Sequence, residues 1–65
     1  MSRKYSIFKI YKDSPNESFK VYDREVIRYC EGRGFYKKGT AMKTLLKNGT
    51  IETPFAIYQI AKALL

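Results

Sequence analysis

Five cations, Arg33, Lys37, Lys38, Lys43 and Lys47, fall between Gly32 and Ile51 with no carboxylate among them. Clustered positive charge of this kind attracts phosphate, and no acid within the stretch is available to neutralise it. Lys43 and Lys47 stand i, i+4, with Thr40 and Thr44 interleaved. On a helix, that spacing gives one face ammonium groups for phosphates and hydroxyls for base edges. Ahead of it, Arg33, Tyr36, Lys37 and Lys38 mix cations with a ring, which suits backbone contact combined with base stacking. The expected nucleic-acid contacts are therefore Arg33, Tyr36, Lys37, Lys38, Thr40, Lys43, Thr44 and Lys47. Phe35, in the same stretch, reads as a core plug. Lysines in this pattern also suit an ordinary solvated helix face, so the helix by itself does not decide between the two uses.

Other chemistries find little here. The chain has one cysteine, Cys30, and no histidine. No internal disulfide, zinc site or histidine-activated thiol is expected, and Cys30 reads as a buried small hydrophobe. The six carboxylates show no spacing that pairs an acid with a base. The sequence thus points away from an enzyme, a metal and a cofactor.

The net charge of +7 is segregated along the 65 residues. Arg3, Lys4, Lys9 and Lys12 precede any acid, and the basic arm Met1–Lys4 is a further candidate for phosphate contact. The middle segment, 13–31, is net negative, with five acids against three bases. No apolar run approaches the roughly 18 residues of a membrane span, and the N-terminus lacks the apolar core of a signal peptide. A cytoplasmic protein without membrane contact is the expectation.

The elements that must position these residues follow from pattern. Residues 4–12, KYSIFKIYK, are rich in β-branched and aromatic side chains and read as a strand, with Tyr5, Ile7 and Tyr11 on one face. The turn cluster 13–17 and the alternating stretch 18–22 complete a hairpin. Ile7, Ile10 and Tyr11 also fit helical spacing, which leaves an N-terminal helix as the rival. Asp23 can cap a helix through about Glu31. Thr40 can cap another, with Met42, Leu45 and Leu46 inward and Asn48-Gly49 as its end. Thr50-Ile51-Glu52 reads as a linker. Thr53-Pro54 then has the form of a third helix start, with Ile57, Ile60, Ala61, Leu64 and Leu65 as its apolar face.

Residues 46–65, LKNGTIETPFAIYQIAKALL, resemble the end of Cro- and repressor-type helix-turn-helix domains. The matching features are Asn48-Gly49, Thr53-Pro54 and Ile60-Ala61-Lys62-Ala63-Leu64. The resemblance implies that 40–48 is the recognition helix and 23–31 its supporting helix. The stretch 32–39 between them is about twice the length of that family's turn.

The sequence therefore predicts a single small basic α+β domain over 1–65. Its architecture would be an N-terminal β-hairpin followed by three short helices, the last two or three helix-turn-helix-like. The expected function is DNA-binding regulation by site occupancy, on double-stranded DNA, in a setting such as a viral or mobile-element genome. RNA, bound through the hairpin aromatics, is a further candidate. The alternative is a tyrosine-rich inhibitor or adaptor for an acidic protein, since ten aromatics exceed what so small a core can cover. A homodimer is a candidate because a domain this small gains stability by association.

Overall fold

The computed structural model of the protein describes residues 5–62. Four strands and two helices follow in the order β1 (Tyr5–Tyr11), β2 (Phe19–Val21), α1 (Asp23–Cys30), α2 (Ala41–Asn48), β3 (Thr50–Glu52) and β4 (Ala56–Lys62). The strands form one antiparallel sheet in the order β2-β1-β4-β3. The two helices cover one face of it. The smallest dimension is 18 Å, as expected for a single sheet under a single helical layer.

Register and burial set the two faces. Ile7 lies opposite both Val21 and Ile60, and Lys9 lies opposite both Phe19 and Tyr58. Ile7, Val21, Ile51 and Tyr58 join Val26 and Cys30 of α1 and Ala41 and Leu45 of α2 in one core. Phe8, Ile10, Lys20, Ile57 and Gln59 occupy the other face. Val26 and Cys30 stand i, i+4 on α1, and Ala41 and Leu45 stand i, i+4 on α2. Each eight-residue helix therefore presents a narrow apolar stripe to the sheet.

The expected hairpin on three helices is incorrect. The described residues contain two helices and a four-stranded sheet, and the third helix is the hairpin β3–β4. The linker Thr50-Ile51-Glu52 is an edge strand. β1 does not belong to a separate N-terminal hairpin, since it pairs with β2 on one side and β4 on the other. The final helix-turn-helix-like element is thus replaced by a central strand. Ala63, Leu64 and Leu65, expected on that helix, lie outside the described residues, as does the arm 1–4.

The cause of the error is local. Thr53 Oγ1 accepts the backbone N–H groups of Phe55 (3.3 Å) and Ala56 (3.0 Å), as a helix-capping threonine would. Here the same contacts close a two-residue turn, because Thr53 N also donates to Ala56 O at 2.8 Å. A threonine hydroxyl can serve either structure. β4 then satisfies both periods: Ala56, Tyr58 and Ile60 alternate onto the covered face as readily as its isoleucines fit a helical stripe. Pairing with strands on both sides, together with the burial of Tyr58, favours the extended form.

Candidate nucleic-acid interface

The connection from α1 to α2 is held by a carboxylate. Glu31 Oε1 accepts the N–H of Gly39 at 2.9 Å, and Oε2 accepts that of Ala41 at 3.0 Å. Hydrogen bonds from Gly39 and Ala41, with smaller help from the Thr40 backbone and the Lys38 charge, hold its pKa below the ordinary value. Glu31 therefore caps α2 from outside that helix. Thr40, expected in that role, makes no side-chain cap and donates its hydroxyl to Lys37 O at 2.6 Å instead. Asp23, likewise expected as a cap, is the first residue of α1 and accepts from Arg24 N.

The rest of the loop folds back onto the end of α1. Phe35 N and Tyr36 N both donate to Cys30 O, at 2.9 and 3.0 Å. Gly32 is needed where the loop begins, since a Cβ there would lie 2.3 Å from the Arg28 carbonyl oxygen. α2 ends at Gly49, whose left-handed backbone (φ 80°) lets its N–H return to Leu45 O at 2.7 Å.

Within this frame the expected contact residues divide. Arg33, Lys37, Lys38, Lys43 and Lys47 are exposed, and none forms an ion pair with a described carboxylate. Lys37 and Lys38 lead into α2, and Lys43 and Lys47 continue along it. Arg33 instead lies over the Tyr29 ring, 4.9 Å from its centroid. Tyr36 is half-buried against the core and donates its hydroxyl to Glu52 O at 3.0 Å. Thr40 and Thr44 are half-buried. Leu46, expected inward, is 53% exposed and lies between the lysines.

Lys9 is the residue that the sequence reading passed over. It is 5% exposed, and its ammonium sits 4.6, 4.0 and 5.5 Å from the ring centroids of Tyr11, Tyr29 and Tyr58. No described carboxylate pairs with it, so ring quadrupoles balance the buried charge. The signal was available in the strand period, which places Lys9 on the same face as Ile7 and Tyr11. Beside it, burial pushes the Cys30 thiol up to about 11, so it is protonated at neutral pH and unsuited to nucleophilic attack.

Among the described residues no group of three or more cysteines and carboxylates is placed to hold a metal ion. No helix among them is long and apolar enough to cross a membrane. No protein-family model, curated protein or solved structure matches this chain.

Proposed function

We propose that the domain binds nucleic acid through the loop 32–40 and the exposed side of α2, and acts by occupying its site. The observation that carries this reading is that the five cations from Arg33 to Lys47 are exposed and none forms an ion pair with a described carboxylate. The carboxylate closest to them in the chain, Glu31, is turned onto backbone N–H groups and is not ion-paired with any of them. Lys37, Lys38, Lys43 and Lys47 are the phosphate contacts in this reading. Thr44 is the candidate for a base edge or a positioned phosphate. Duplex DNA is the first partner to test, and a regulator working by site occupancy is the corresponding role.

A salt titration tests it. The protein is expected to bind random duplex DNA with roughly micromolar affinity at low salt. Lys37→Ala with Lys38→Ala then flattens the dependence of log K on log salt by about one to two units. No binding even at about 50 mM salt removes the reading. The acidic-protein alternative then leads, supported by the exposed side chains of Tyr22 and Leu46.

A further inference from the structure

Five aromatic rings and two cations form a continuous row across one end of the sheet. Phe19 of β2 meets Tyr11 of β1 edge-on at 5.9 Å between centroids. Lys9 bridges Tyr11 to Tyr29 at the end of α1, and Arg33 also lies over Tyr29. Tyr29 meets Phe35 at 5.9 Å, and Phe35 meets Phe55 of the β3–β4 turn at 6.2 Å. The row joins five segments of the chain, so the fold builds it and no local motif shows it.

Its accessible members lie where a ligand would need them. Phe19 is 46% exposed, Tyr11 37% and Phe55 57%, while Tyr29 and Phe35 between them are half-buried supports. The exposed rings cannot be explained as core, because the core is filled by Ile7, Val26, Leu45 and Tyr58. The cations in the row are held by the rings themselves.

From this we infer that the row is a stacking platform for single-stranded nucleic acid. Unpaired bases lie on Phe19, Tyr11 and Phe55, and phosphates reach Arg33 and the lysines of the neighbouring loop. Rings supply contact that every base can use, and the cations follow the backbone. A duplex keeps its base faces stacked inside and cannot use exposed rings in this way. An acidic peptide would engage the lysines and leave the rings without a π partner. The inference rests on the nucleic-acid reading above and names the form of nucleic acid that the domain takes.

The experiment measures fluorescence anisotropy of labelled oligothymidine, oligouridine and random duplex DNA with the whole chain at low and high salt. The variants are Phe19→Leu with Phe55→Leu, which keep apolar bulk and remove the rings, and Lys37→Ala with Lys38→Ala. Circular dichroism confirms the fold of each. The parent is expected to bind at least one single strand more tightly than duplex and to keep more of that binding at high salt. The leucine pair is expected to lose about fivefold or more per ring on the single strand, with duplex binding unchanged. The lysine pair weakens both. Binding of oligothymidine or of oligouridine alone assigns DNA or RNA, respectively. Equal affinity for duplex and single strands, or leucine variants that bind as the parent does, overturns the platform and leaves the nucleic-acid reading standing. If no nucleic acid is bound, both fall together.

Discussion

α2 and β4 are both entered through a threonine, and the two threonines solve the same problem in opposite ways. At Thr53 the hydroxyl is buried and does the work itself: it accepts from Phe55 and Ala56 and donates to Ala56 O at 2.9 Å. At Thr40 the hydroxyl turns back to Lys37, and the free donors before and at the start of α2 go to Glu31, whose chain position is ten residues before Ala41. The strand is thus begun by a local, self-contained contact. The helix is begun by a contact that exists only once α1 and the loop are in place. Backbone donors must be satisfied in either case, but the partner's distance along the chain decides how robust the element is by itself.

Removing β4 is the severest way to break this comparison. Cutting the chain after Glu52 deletes the strand that pairs with both β1 and β3. It removes the fully buried Tyr58 and Ala56 and the partly buried Ile60, and fully burying one large apolar side chain contributes roughly 1.5–3 kcal/mol in a domain with only a few kcal/mol of net stability. The fragment is expected to show no cooperative thermal transition. A retained transition would mean that β1, β2 and the helices fold without it.

Single hydroxyls give the next effect. Thr53→Ala leaves buried backbone groups unmet and is expected to cost about 1–2 kcal/mol in chemical denaturation. Thr40→Ala loses one half-buried hydrogen bond and is expected to cost less than about 1 kcal/mol. Equal costs would mean that Thr40 caps its helix after all.

The remote cap is read out by pH. The carboxyl of Glu31 ionises at a lower pH in the folded chain than in the unfolded one, so its contribution is fully present above its ordinary value of 4.5. It is lost as pH falls through the lower folded value. Glu31→Gln is expected to lower the thermal midpoint at neutral pH and to flatten its decline on acidification. An unchanged acid limb would remove Glu31 from its capping role.

The smallest effect distinguishes two hydroxyls associated with the same strand. The Thr53 hydroxyl both donates and accepts, whereas the buried Tyr58 hydroxyl has no hydrogen-bond partner among the described residues. Tyr58→Phe is therefore expected to be neutral or slightly stabilising at pH 7. Burial raises the pKa of this phenol, so the folded chain keeps its stability below the ordinary value of 10 and loses it as pH rises further. The phenylalanine variant should lose less stability than the parent above that pH. A clear loss of stability at neutral pH would reveal a hydrogen bond at this hydroxyl.

The division between legible and hidden follows the same line. Turn chemistry acts over two or three residues, and the sequence does carry it at 13–17, at Gly49 and at Thr53. What Thr53 begins is decided elsewhere, by whether strands wait on both sides of the next seven residues. Helical and alternating periods both fit AIYQIAK, and local pattern gives no tie-break. The exposed cations at 33, 37, 38, 43 and 47 are visible as an acid-free run. Their relation to the rings is not, because Phe19, Tyr11, Tyr29 and Phe55 meet only when the ends of several elements converge. Lys9 is an intermediate case: its phase in β1 shows that it faces inward, but the tyrosines around it come from three separate elements.

The pairing of β1 with β4, from Tyr5↔Lys62 to Tyr11↔Ala56, has a consequence for how the molecule comes into being. The two longest strands lie at opposite ends of the described chain, and every other element is strung between them. Their ladder must close a loop of nearly the whole domain before its hydrogen bonds form, and that entropy is lost ahead of any return. β3 is a three-residue edge that pairs with β4, and β2 is a three-residue edge that pairs with β1. During synthesis, therefore, the short β1–β2 hairpin is the only sheet pairing among the described residues that can form before β4 is made, and an isolated hairpin of that size is marginal in water. The joined four-stranded sheet would form late, when β4 comes to lie between β1 and β3.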